Sequence, residues 1–152
     1  MDIEIVLADI SDADDILTLQ KLAYQSEAEL YQDWSITPLT QSIEDIKTEF
    51  STKTFFKACL DGKVVGSVRV SVNRGTGFVG RLIVHPEHQK KGIGTKLMEE
   101  IEKKFPSTER FELFTGSRSE GNIRLYEKLG YRIFRKERSS AQVELVFMEK
   151  RR

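Results

Sequence analysis

Apolar residues recur along this chain with two periods, and the places where one period gives way to the other mark out its elements. Glu4–Ala8 is a short apolar run that reads as a strand. Ile16, Leu19, Leu22 and Ala23 then fall at helical spacing. That helix starts between Asp9 and Asp15, where Ser11 is placed to cap the first turn with Asp14 three residues on. Periodicity is lost from Tyr24 to Pro38, an irregular acidic stretch holding Glu27, Glu29, Tyr31, Asp33 and Trp34. Thr40 is placed to cap a second helix, with Ile43, Ile46 and Phe50 on one face.

From residue 54 the period becomes two. Thr54–Leu60 and Lys63–Val72 read as strands joined by Asp61-Gly62, a hairpin pair. A turn over Asn73–Gly77 leads to a third strand, Phe78–Val84, which Pro86 ends because proline has no N–H for a ladder. The helical period returns with Ile93, Leu97, Ile101 and Phe105, and Pro106 stops it. Phe111–Thr115 is a strand, Gly121–Leu129 a short helix closed by Gly130, and Tyr131–Glu137 and Val143–Glu149 are two final strands. Hairpins first and a strand–helix–strand unit after them predict an α/β (α+β) fold. Its sheet is a mixed, mostly antiparallel, twisted one of six to seven strands, with helices on both faces. With 152 residues, no repeat and no compositional break, a single domain over 1–152 is expected.

Charge changes this picture in one respect. The chain is balanced at 24 basic and 24 acidic residues, but residues 1–52 carry 12 acids against only Lys21 and Lys47. The rest carries 22 bases against 12 acids, so one part of the molecule suits a cationic ligand and the other an anionic one. A lone cysteine, Cys59, excludes an internal disulfide, and His85 and His88 in one loop make a poor metal set, so no metal is expected. There is no membrane-length apolar run and no basic-then-apolar leader, which makes a cytoplasmic location the default. The basic second part, with Arg132, Arg135, Lys136 and Arg138, lacks a recognition helix or an aromatic stacking pattern, so no nucleic-acid partner is expected.

The stretch with chemical content runs from Arg81 to Thr95. A strand passes through Gln89-Lys90-Lys91-Gly92-Ile93-Gly94 into a helix N-terminus, where free N–H groups and the helix dipole favour an anion. The same pattern serves as an ordinary strand–helix turn, and the glycines alone do not separate the two. It matches neither the P-loop nor the dinucleotide fingerprint.

Two segments together resemble the GNAT N-acetyltransferase superfamily. One is Leu82-Ile83-Val84-His85-Pro86 followed by Gln89-Lys90-Lys91-Gly92-Ile93-Gly94; the other is Asn122 followed by Leu125-Tyr126-Glu127-Lys128-Leu129-Gly130-Tyr131. The strand order read above is also that family's. The resemblance implies acetyl-CoA, or another acyl-CoA, as donor and a small-molecule or protein amine as acceptor. It implies that the amides of Gln89, Lys90, Lys91, Gly92, Ile93, Gly94 and Thr95 hold a pyrophosphate, and that the pantetheine arm lies along Leu82, Ile83 and Val84. A strand irregularity would free the N–H of Ile83 or Val84 to polarise the thioester. Asn122 would contact the pantetheine, and Tyr126 would act as general acid. A homodimer through the C-terminal strands is an expectation by analogy alone.

One departure matters. Many relatives carry a Glu on the strand immediately before the position of Arg81, as general base, and this chain has Gly80 there. A lysine-like amine near pKa ~10.4 is neutral in about 1 part in 2,500 at pH 7, a penalty of about 4.6 kcal/mol. A water chain, a carboxylate from another element or an acceptor of low pKa would meet the need. Glu27 and Glu29, in the acidic stretch, are the candidate carboxylates for a cationic acceptor. The missing Glu keeps open a second reading, a non-catalytic acyl-CoA sensor or partner-binding module on the same fold. Tyr126 argues for the enzyme.

Overall fold

In the computed structural model, which describes residues 2–152, the strands form one seven-stranded sheet. They are β1 (Glu4–Leu7), β2 (Thr54–Leu60), β3 (Lys63–Asn73), β4 (Thr76–Val84), β5 (Arg110–Gly116), β6 (Arg132–Arg138) and β7 (Glu144–Arg151). Their order across the sheet is β1-β2-β3-β4-β5-β7-β6, and β4–β5 is the one parallel pair. Both early hairpins turn through two residues with positive φ: Asp61-Gly62 (51° and 78°) and Arg74-Gly75 (51° and 79°). That geometry matches the twist of the flanking strands and tightens the broad turn read over Asn73–Gly77.

Helices cover both faces, as the sequence predicts. On one face α5 (Ile93–Lys104) buries Ile93, Leu97, Met98 and Ile101 against Phe56, Ala58, Val68 and Val70. The short α6 (Glu120–Lys128) follows β5 on the same face and buries Tyr126 into that core. On the other face α1 (Ala13–Ala23) and α4 (Ile43–Glu49) bury Ala13, Ile16 and Ile46 around Phe55.

The caps differ from the sequence reading. Asp9, not Ser11, caps the turn before α1, in a reciprocal box with Asp12; a carboxylate outcompetes a hydroxyl for those amides, and the Ser11 hydroxyl itself donates to Asp9. Ser42, not Thr40, caps α4, boxed with Asp45. The stretch without apolar period contains two short helices, α2 (Gln25–Tyr31) and α3 (Thr37–Thr40). Each is too short to show a stripe, and α2 is held by polar contacts rather than by an apolar face.

Candidate active site

The site begins where the sheet splits. β4 and β5 pair only at Thr76–Phe78 against Arg110–Glu112, and beyond that they diverge. β4 is also kinked. Arg69 of β3 stands opposite Gly80, and Ser67 opposite Ile83, so Arg81 and Leu82 together face Val68 in a β-bulge. Arg81 takes φ 50°, a left-handed conformation uncommon outside glycine. Downstream of the bulge the His85 N–H donates to Val65 O at 2.8 Å. Antiparallel alternation then turns the Ile83 N–H toward β3 and the Val84 N–H toward the gap left by β5. Of the two amides considered for polarising a carbonyl, Val84's faces the open side.

The glycine turn lies at one end of this gap. None of the backbone N–H groups of Gln89, Lys90, Lys91, Gly92, Ile93, Gly94 and Thr95 donates to a partner among the described residues; the first to do so is Lys96, to Gly92 O at 3.0 Å. Lys90 (φ 65°) and Gly92 (φ 78°) both adopt left-handed conformations, which turn successive amides outward into an anion-binding nest at the start of α5. Lys90 and Lys91 are exposed, and the Lys91 Nζ lies 3.3 Å from His88 Nδ1. A Cβ at Gly94 would stand 3.4 Å from Leu125 Cδ2, 3.7 Å from Leu82 Cδ2 and 4.0 Å from Val84 Cγ2. The first turn of α5 therefore borders both the split strand and α6.

The gap opens into a cavity of about 490 Å³, roofed by α2 and α3 and floored by the diverging strands. Leu82 and Tyr126 line it, together with Tyr24, Glu27, Gly80 and Asn122. Tyr126 is buried, its ring 6.0 Å from that of Tyr131, and its hydroxyl makes no hydrogen bond among the described residues. Burial pushes the Tyr126 phenol well up, and Tyr24, Tyr131 and Glu27 add to the rise. Burial also raises the Tyr24 phenol, against the pull of Arg81. A Cβ at Gly80 would meet nothing within 4 Å, so the position that holds Glu in many relatives is open space in the cavity wall.

A chain of hydrogen bonds fixes the roof. The Arg118 N–H donates to Tyr31 Oη (3.0 Å) and Ser119 Oγ donates to Glu27 Oε2 (2.6 Å). Ser119 has one hydroxyl proton and spends it on Glu27, so the Tyr31 hydroxyl donates to Ser119 across 2.8 Å. Asn122 Nδ2 reaches Glu27 Oε1 at 3.5 Å and Thr115 Oγ1 at 3.3 Å. The sequence reading missed Tyr31, Ser119 and Thr115, and treated Arg81 and Tyr24 only as ends of elements. Glu29 departs from its expected place. Two residues beyond Glu27 on a helix it turns to the far side, is exposed and does not line the cavity. Among the described residues there is no group of three or more His, Cys, Asp or Glu that could hold a metal, and no helix long and apolar enough to cross a membrane.

Comparison with known proteins agrees with this geometry. Among curated proteins, UPF0157 protein YqkA of Bacillus subtilis (strain 168) is 29% identical over 119 residues, which cover 78% of this chain and 34% of that protein's length. The chain thus spans about a third of the curated relative it matches. Among solved structures, the PaiA N-acetyltransferase of Thermoplasma acidophilum in complex with coenzyme A superposes with a TM-score of 0.81 at 20% identity, covering 100% of both chains. The ribosomal-protein-S18-alanine N-acetyltransferase of Escherichia coli superposes with a TM-score of 0.83 at 15% identity, covering 99% of this chain and 94% of that one. At such identities the likeness is one of fold. The model of the acetyltransferase (GNAT) family matches residues 14–131, most of the chain including the split strand, the glycine turn and Tyr126, and the chain belongs to that family.

Proposed function

We propose that residues 1–152 form one N-acetyltransferase domain that moves an acetyl group from acetyl-CoA to a primary amine, by direct attack while both are bound. The observation that carries this reading is a continuous track. It runs from the unpartnered amides of Gln89–Thr95, past Gly94 and Leu82, to the cavity where Tyr126 sits. Acetyl-CoA supplies the acyl group as a thioester. The amides of Gln89, Lys90, Lys91, Gly92, Ile93, Gly94 and Thr95 supply donors for a pyrophosphate, with Lys90 and Lys91 adding charge. Leu82–Val84 offers an unpaired strand edge to the pantetheine amides, and Asn122 Oδ1, without a partner among the described residues, accepts from one of them. These residues fit the group that coenzyme-A-bound relatives on this fold hold.

The chemistry then uses the chain's own atoms. The Val84 N–H donates to the carbonyl oxygen on which charge develops as the amine attacks. A C–N bond forms and the C–S bond breaks. Tyr126, a phenol that is protonated at neutral pH and whose burial disfavours the phenolate further, gives its proton to the leaving sulfur. The amine sheds two protons: one leaves before attack through the space beside Gly80, to water or to Glu27, and the other, released after attack, restores the Tyr126 phenol. Glu27, held by Ser119 and Asn122, also presents negative charge to a cationic acceptor. Coenzyme A binding without acetyl transfer, the sensor reading, is the competing outcome of the test.

The test follows free thiol on mixing the protein with acetyl-CoA and a panel of amines. Turnover with some amine, reduced about 100-fold or more in Tyr126→Phe with coenzyme A affinity kept, is the expected result. Coenzyme A binding without turnover across the panel would sink the enzyme reading. In the same assay Glu27→Gln changes the pH profile of kcat/KM; an unchanged profile removes Glu27 from the reaction.

A further inference from the structure

Arg81 is the only basic residue lining the cavity, and nothing in the described residues neutralises it. Its Nε is buried without a hydrogen-bond partner, and no ion pair among the described residues includes it. Its neighbour in space shows what a settled arginine looks like here. Arg69, opposite Gly80, also has an unpartnered Nε, but its Nη1 lies 2.9 Å from Glu49 Oε2 and its Nη2 donates to Gln20 Oε1 at 2.5 Å. Two carboxylates share the cavity with Arg81 and neither reaches it. Glu27 is engaged by Ser119 and Asn122, and Asp33 accepts from the Ser35 N–H (2.9 Å) and the Ser35 hydroxyl (2.5 Å). A half-buried guanidinium without a counter-charge is unfavourable unless a ligand supplies one. Arg81 also sits at the bulge with φ 50°, a strained conformation of the kind that collects at ligand clamps.

The cavity thus holds a free cation and engaged carboxylates apart, between apolar walls from Leu82, Leu113, Phe114 and Val143. We infer that the acceptor is an amino carboxylate, an amino acid with an apolar side chain, whose carboxylate pairs with the Arg81 guanidinium while its amine faces Glu27 and the split strand. A single guanidinium matches a carboxylate in a two-pronged pair, and a cavity of about 490 Å³ suits a molecule of that size. A purely cationic acceptor such as a polyamine would leave Arg81 unmatched and repelled. The inference rests on the acetyl-transfer reading of the same cavity. The amine gains the acetyl carbon and loses two protons, one to Glu27 or water and one that restores Tyr126; the sulfur gains the Tyr126 proton, and the carboxylate is unchanged.

The test pairs the apolar α-amino acids with their decarboxylated amines, phenylalanine with phenethylamine for example, in the thiol-release assay. Wild type and Arg81→Gln are compared within each pair, which removes the difference in amine pKa between partners. The expected result is that Arg81→Gln lowers kcat/KM for the amino acids about tenfold or more, through KM, and raises it for the decarboxylated amines, which no longer meet a like charge. Arg81→Lys, with its charge but not its fork, recovers part of the loss, and coenzyme A affinity by calorimetry stays the same in both variants. Calorimetry with N-acetylated amino acids reads the carboxylate subsite without turnover, with binding in wild type and loss in Arg81→Gln. If amines turn over but amino acids gain nothing from Arg81, the inference is overturned and the acetyltransferase reading stands. If N-acetyl amino acids bind through Arg81 while no amine is acetylated, the subsite stands and acetyl transfer fails. If amino carboxylates neither bind nor turn over, the subsite is overturned.

Discussion

At the scale of single residues, the two glycines of the anion turn perform different tasks. Gly92 precedes α5 at φ 78° with open space around it, so its task is conformational, and alanine there costs about 1 kcal/mol of strain. Gly94 lies inside the first turn of α5, in contact range of Leu125, Leu82 and Val84, so its task is spatial. A methyl group at Gly94 touches these neighbours at ordinary distances, and alanine is the better helix former by up to about 1 kcal/mol. Gly94→Ala should therefore keep or raise the melting temperature. It should also weaken coenzyme A binding about tenfold or more in calorimetry, because the methyl narrows the track between α5, α6 and β4. Unchanged affinity would mean that the track runs elsewhere.

At the scale of elements, α2 is the least legible and the most consequential. Its seven residues carry one buried aliphatic, Ala28, and one buried aromatic, Tyr31. What seats it is not apolar period but fit. Tyr31 lies over Gly116 so closely that a Cβ there would fall 1.9 Å from its hydroxyl oxygen. Gly116→Ala should then dislodge Tyr31 and with it the bonds to Ser119 and the Arg118 amide, at roughly 1–3 kcal/mol in urea unfolding. Acetyl transfer should fall with it, because Glu27 loses its place beside Asn122; stability equal to wild type would refute the seat. Elements whose stability is written in local period were readable from the chain: the two glycine hairpins, α5 with its stripe, and α6 ended by Gly130 at φ 100°. The glycine turn was readable for the same reason, since its conformation is local; Tyr126 stood out only through the family motif around it. The rest depends on contacts far apart in sequence. Glu27 meets Ser119 across 92 residues, and Arg81 turns into the cavity only because two residues of β4 face one of β3. No period along the chain records either.

At the scale of the molecule, the acidic opening segment and the basic remainder meet in one polar node beneath the cavity roof. Gln20 of α1 donates to Pro38 O and to Gln41 Oε1, both at 2.9 Å, and accepts from Arg69 of β3. Glu49 of α4 receives Arg69 at 2.9 Å and Lys53 at 2.8 Å, and Gln41 donates to it as well. Arg69 is 1% exposed, so its charge is tolerable only while Glu49 is ionised. Burial alone pushes the Glu49 carboxyl up, but Lys53, Arg69 and Gln41 outweigh it and hold the group below the ordinary carboxylate range. A carboxyl whose folded pKa is depressed contributes stability that is fully present above its unfolded value, about 4.3, and is lost as pH falls through the lower folded value. Unfolding followed by urea from pH 7 to pH 3 should show wild type losing stability below about pH 4.5. Asp9 and Asp45, held low by their caps, contribute in the same direction, so the node is isolated by comparison with Glu49→Gln. That variant leaves Arg69 buried without its counter-charge and should be less stable by roughly 3 kcal/mol at pH 7. The gap should narrow as pH falls, because acid removes from wild type the charge that the variant already lacks. A gap that stays constant with pH would show that Glu49 acts by shape and not by charge. The same node carries Pro38, which lines the cavity, so acid should loosen the α3 side of the roof before the core beneath α5 gives way. Hydrogen exchange at α3 and α5 at pH 4 would resolve that order.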